Sequence, residues 1–128
     1  MTTQEKNKII VRKFNEEFLM NGDLEVFETV VDKDFINYNF PASEDTRTIT
    51  RDFIYTLHKA ITNRKLTIID MLTEGDKVVT FKTIEGTLSA PFMNATVIGS
   101  KITLKIIDIV QLRDEKYIGH WSVREVII

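Results

Sequence analysis

Apolar residues recur at helical spacing through the first half of the chain and alternate with polar ones through the second. Ile9, Ile10, Phe14, Phe18 and Leu19 predict one helix running to about Met20. Asn21-Gly22-Asp23 stops it. Gly22 suits the left-handed position just past a helix end, and Asp23 can cap the helix that follows. Leu24, Phe27, Val30 and Val31 give that second, short helix. The stretch Asp34 to Pro41, DFINYNFP, is aromatic and rich in amides, and Pro41 ends any regular element. A polar loop, Ser43 to Thr48, leads to a third helix capped by Thr48 or Thr50, with Phe53, Ile54, Leu57 and Ile61 on its apolar side.

The second half reads as sheet. Leu66 to Leu72 is a strand, the turn Glu74-Gly75-Asp76 follows, and Lys77 to Leu88 is a long second strand. Ala90 to Ala95 is irregular around Pro91. A third strand is expected from about Thr96, turning or bulging at Gly99-Ser100 and resuming through Leu112. Arg113-Asp114-Glu115-Lys116 turns into the last strand, Ile118 to Ile128. Helices followed by an antiparallel meander make an α+β layout. About three N-terminal helices then pack on one face of a curved antiparallel sheet, in a single domain spanning residues 1–128.

The two closing strands break their own apolar pattern. Successive side chains along a strand point to opposite faces. Gly119, Trp121, Val123, Glu125 and Ile127 share one face of the last strand, with a carboxylate beside the only tryptophan. His120, Ser122 and Arg124 share the other. In the preceding strand Asp108 shares a face with Leu104, Ile106, Val110 and Leu112. A charge on an apolar face is costly unless it is paired, hydrogen-bonded or neutralised by protonation. If both acids point into the interior, they form a general acid/base pair. A structural role is the competing expectation for each: an ion pair near the chain end for Glu125, a backbone or tyrosine contact for Asp108. Asp70 also falls on an apolar parity, but it lies near a strand end and reads as a solvated or turn-supporting acid.

Composition narrows the field without naming a chemistry. The 128 residues are 43% hydrophobic and 28% charged, with a net charge of −2. No basic stripe interleaved with aromatics points to nucleic acid. The absence of cysteine excludes disulfides and thiolate chemistry, and no apolar run has the length of a membrane span. The opening MTTQEKNKII is polar and runs into a helical pattern, unlike a signal peptide. A cytoplasmic setting is expected. The two histidines, His58 and His120, have no third ligand nearby in sequence and give no metal signature. No phosphate loop, nucleophile elbow or calcium loop is present.

Three stretches carry a family resemblance. NKIIVRKFNEEFLMNGDLEVFETVVDKDF, EGDKVVTFKTIEGTLSAPFM and GSKITLKIIDIVQLRDEKYIGHW, in this order, resemble the opening helices, first hairpin and last hairpin of the SnoaL-like polyketide cyclases. That family lies within the nuclear transport factor 2-like superfamily. The resemblance implies a cone-shaped α+β barrel, the helices on the concave face of its sheet. It also implies a small cyclase, isomerase or lyase that works by acid/base chemistry without metal or cofactor. By its position after His-Trp, Glu125 resembles the family's late acidic residue and is expected to be the catalytic base or acid, with Asp108 assisting. The resemblance places the DFINYNFP loop at the pocket, so Tyr38 and Asn39, with Trp121, are expected to bind an apolar or aromatic carbonyl compound. His58 is expected at the pocket or its rim, or as a satisfied helix histidine. Strict alternation places His120 on the outer face, unless a bulge reverses it. Three features depart from the family: Leu88 stands after Gly86-Thr87 where many members have histidine, Ser122 follows His-Trp in place of aspartate, and Asn94-Ala95-Thr96 alters the irregular segment. A non-catalytic ligand-binding domain and a homodimeric interaction module with a vestigial pocket remain alternatives. Ile107 and Ile109 on the outer sheet face call for cover, by a second copy as is common among relatives, or by a loop of the same chain.

Overall fold

The computed structural model describes residues 1–128. Helix α1 spans Thr3–Lys13, with Thr2 accepting from the Glu5 amide as its N-cap. The same helical rod continues as a π-helical segment, Phe14–Leu19, closed by the Met20 amide donating to the Asn15 carbonyl. Gly22, at φ +72°, makes the break, and Asp23 caps α2, Leu24–Val30, by accepting from the Glu25 amide. Helix α3 spans Thr46–Ala60. Its cap is Asp45, which accepts from both the amide and the hydroxyl of Thr48, so the helix begins before the expected threonines.

Five strands form one sheet in the order β1-β5-β4-β3-β2. They are β1 (Val31–Asn37), β2 (Ile61–Glu74), β3 (Lys77–Leu88), β4 (Lys101–Arg113) and β5 (Lys116–Ile127). β2 to β5 form an antiparallel meander, and β1 adds to its edge parallel to β5. Strand β1 has no expected counterpart. Val31 is already extended where α2 ends, so a helix passes into a strand with no glycine or proline between them. The stretch before Lys101 is not strand, apart from a bridge between Phe92 and Ala95. No helix is long and apolar enough to cross a membrane.

The helices lie over the concave face and close a core that includes Val11, Phe18, Phe27, Leu57, Ile61, Ile84 and Leu104. Phe18 packs 4.9 Å from Phe27 and 5.3 Å from Phe14, ring centre to ring centre. One helix face and one irregularity decide what faces that core. Val11, Asn15, Phe18 and Leu19 fall at i, i+4, i+7 and i+8, and all four are buried. Between β4 and β5 the register shifts, so that Leu112 faces Tyr117 and Gln111 faces Gly119, with Ile118 as the extra residue. Tyr117 points inward before this bulge, and the even-numbered residues His120, Ser122 and Arg124 line the interior after it.

Candidate active site

The bulge at Ile118 corrects the expected orientation of the last strand. Glu125 lies opposite Lys105 on the exposed outer face, while Asp108 lies opposite Ser122 and faces inward. Residues directly opposite in an antiparallel pair share a face. Glu125 and Asp108 therefore occupy different faces and cannot form one acid/base pair. Trp121 is also outside, opposite Ile109, with Tyr38 stacked on it at 4.5 Å and nearly parallel. Tyr38 is 51% exposed and, with Asn39 and Trp121, lines a shallow depression on the outer face and not the interior cavity. Asn39 serves the backbone: its side-chain amide donates to the Ser122 carbonyl at 2.7 Å and accepts from the Ser122 amide at 2.8 Å. That exchange imitates a strand partner and continues the pairing along β5 beyond the end of β1. His58 donates from Nε2 to the Leu19 carbonyl at 2.6 Å and ties α3 to the π segment. It lies outside the cavity lining, and burial lowers its pKa. Asp70 is exposed and accepts from the Met71 amide beside a register shift, the supporting role expected of it.

The interior is built around Asp108 instead. Across the sheet Asp108 has Thr80 on one side and Ser122 on the other. Lys82, one pleat along β3 from Thr80, donates to Asp108 Oδ2 at 2.6 Å and to Asn15 Oδ1 at 2.5 Å. The pair is nearly sealed from solvent, with side-chain exposures of 6% and 5% for Lys82 and Asp108. Asn15 is itself anchored by its Nδ2 donating to the Val11 carbonyl. The first helical rod thus brings an amide oxygen to a buried ammonium, from the helix face that also carries Val11, Phe18 and Leu19. Lys82 had a legible signal, since it shares the inward parity of Val78, Ile84 and Leu88.

Four buried polar atoms around this pair have no hydrogen-bond partner: Asp108 Oδ1, Thr80 Oγ1, Tyr117 Oη and His120 Nδ1. Burial, reinforced by the Asp108 charge, raises the Tyr117 pKa well above that of a free phenol. Tyr117 is therefore a proton donor at neutral pH. His120 is shifted the other way, to about 4, chiefly by burial, with Lys82 and Arg124 also opposing its charge and Asp108 favouring it. The imidazole is neutral at pH 7.

A cavity with two lobes meets this cluster. Leu19, Thr50, Ile54, Lys82, Asp108 and His120 line both lobes. One lobe continues between Phe40, Phe53, Leu57, Leu104, Ile106 and Arg124, and the other between Phe14, Val31, Phe35, Val110 and Tyr117. Each measures about 70 Å³, under half of the about 150 Å³ of an enclosed apolar cavity that takes benzene. One lobe alone therefore holds a short chain, and a single ring fits only by spanning both lobes; several fused rings do not fit. No three His, Asp or Glu side chains gather as a metal set.

Comparison with known proteins gives one family. The model of the SnoaL-like polyketide cyclases matches residues 9–127. No curated protein matches the sequence. Among solved structures, TsrD from Streptomyces laurentii superposes with a TM-score of 0.84 at 21% identity, covering 98% of this chain and 92% of that one. AclR from Streptomyces galilaeus gives 0.81 at 18% identity, covering 96% and 77%. A SnoaL-like polyketide cyclase from Agrobacterium tumefaciens gives 0.74 at 15% identity, covering 98% and 93%. At these identities the likeness is one of fold.

Proposed function

Because this chain belongs to the SnoaL-like polyketide cyclase family, we propose that it is a small acid/base enzyme of cyclase, isomerase or lyase type, acting on a compact, largely apolar carbonyl compound inside the cone. The observation that carries this reading is the free Asp108 Oδ1, buried at the junction of both lobes while the other carboxylate oxygen is held by Lys82. An oxygen fixed in this way can accept a proton from the carbon beside a carbonyl. The electron pair then moves onto the carbonyl oxygen. Lys82 has a third N–H beyond its two protein contacts, and the Tyr117 phenol has no partner, so both are available to hold the enolate. His120, neutral, can accept or donate a hydrogen bond to the same intermediate. Asp108 thus takes the role that the family resemblance assigns to Glu125.

Exchange of the acetophenone methyl protons in D₂O, followed by NMR, tests the reading. Asp108→Asn is expected to slow the protein-catalysed exchange by about a hundredfold, the lower end of what a positioned base supplies. Glu125→Gln, on the outer face, is expected to leave it unchanged. Exchange that survives Asp108→Asn removes Asp108 as the base, and acetophenone binding without exchange makes the cavity a binding site.

We also propose that a second copy covers the outer face. Tyr38 from the chain's own loop covers Trp121, yet Ile107 and Val123 stay 46% and 69% exposed beside it. A patch of this kind is a common mark of an interface. Val123→Glu is expected to shift sedimentation from dimer to monomer while exchange at Asp108 persists. A wild-type monomer at all concentrations excludes the dimer.

A further inference from the structure

We infer that the ligand of this cavity carries a carboxylate, and that Arg124 is the residue that selects it. The inference takes the cavity as the ligand site, as proposed above, and adds the charge the ligand must bring.

Arg124 lines the lobe that Phe40 and Phe53 also line and is partly buried, yet no carboxylate of the protein comes within ion-pair distance of it. Its polar contact is a long one, from Nη2 to the Ser122 hydroxyl at 3.4 Å. Its guanidinium lies 4.8 Å from the centre of the Phe53 ring, which fixes the plane without neutralising the charge. Guanidinium groups withdrawn from water are ordinarily paired. The one carboxylate that faces the cavity, Asp108, is already held by Lys82. With His120 neutral, Lys82 and Arg124 against Asp108 leave one uncompensated positive charge on the cavity wall. Glu125, the neighbour of Arg124 in sequence, points to the other face and cannot supply the missing negative charge.

Position puts both groups within reach of one ligand. Arg124 lies opposite Ile106, and Asp108 lies opposite Ser122, so Arg124 and Asp108 are diagonal neighbours on one face. Such neighbours have backbones about 7–8 Å apart. A compact ligand can therefore touch both side chains, in keeping with the small volume. The fork of Arg124 can hold a carboxylate through two parallel N–H donations, with the Ser122 hydroxyl at its side. The carbonyl end then reaches Asp108, Lys82 and Tyr117. The ligand class is a compact oxo acid with an apolar middle.

Benzoate and benzamide, equal in shape and different in charge, test the charge alone by NMR titration of the folded protein. Wild type is expected to bind benzoate at least about tenfold more tightly than benzamide at neutral pH. Arg124→Gln is expected to bring the two within about twofold, by weakening benzoate, while Arg124→Lys keeps part of the preference. A dispersed spectrum for each variant shows that it is folded. Equal affinities in wild type, a preference that survives Arg124→Gln, or no benzoate binding up to about 10 mM overturns the inference. Binding requires no turnover, so failure of the exchange reaction and failure of the charge preference are separate results.

Discussion

Replacing Lys82 by Met is expected to destabilise the fold by about 3–5 kcal/mol, because it leaves the Asp108 carboxylate buried without its counter-ion. Both side chains of the pair are almost wholly withdrawn from solvent. Removing one partner of such a pair costs far more than the pair itself contributes. Asn15 Oδ1 loses its donor in the same step, which adds a buried acceptor with no partner. The double variant Lys82→Met, Asp108→Leu is expected to regain most of the loss, since an apolar pair of similar volume fills the space without a desolvated charge. Urea unfolding of the wild type, the two single variants and the double variant measures the coupling as a cycle. A loss below about 1 kcal/mol for Lys82→Met would show that water reaches the pair, and with it the proton acceptor at Asp108.

The same pair explains what the sequence could and could not reveal. The strand Lys77–Leu88 was legible end to end, because its alternation is regular and Gly75 marks the turn before it. The helix break at Gly22-Asp23 was legible for the same local reasons. Alternation groups the faces of β5 correctly, but apolar content points to the wrong one as the interior. Apolar content normally identifies the interior, but here Trp121, Val123, Ile107 and Ile109 lie on the outer face. His120, Ser122 and Arg124 line the cavity instead. A polar-lined pocket inverts the rule locally, and the single extra residue at Ile118 completes the inversion. Asp108 kept its expected side because β4 is regular and its other inward residues, Leu104, Val110 and Leu112, are all buried. On β3 the same parity places Lys82 between Thr80 and Ile84 on the inward face. Asn15 falls on the same helix face as Val11 and Phe18, but spacing does not announce that a polar residue there has a buried lysine of β3 as its partner.

The remaining large effect concerns pH. His120 has a pKa near 4 in the folded protein and about 6.5 when unfolded, so the unfolded chain binds the extra proton first as pH falls. Its contribution is therefore fully present above about pH 6.5 and is lost progressively down to about pH 4, after which it is constant. A shift of this size corresponds to a loss of about 3 kcal/mol across the window. The groups that set it are the Lys82 ammonium on β3, the Asp108 carboxylate on β4 and the Arg124 guanidinium on β5 itself. Burial is the largest cause; the Asp108 carboxylate opposes it, and the two cations reinforce it. His120→Asn is expected to keep the neutral polar character of the site and to flatten the stability profile between about pH 6.5 and 4, relative to wild type. Denaturant midpoints at a series of pH values for both proteins give the difference directly, since the exposed carboxylates titrate alike in each. Parallel profiles would mean that His120 is hydrated in the folded state. It would then titrate near the ordinary value of about 6.5, and the cavity would gain a second uncompensated positive charge only as pH falls below it.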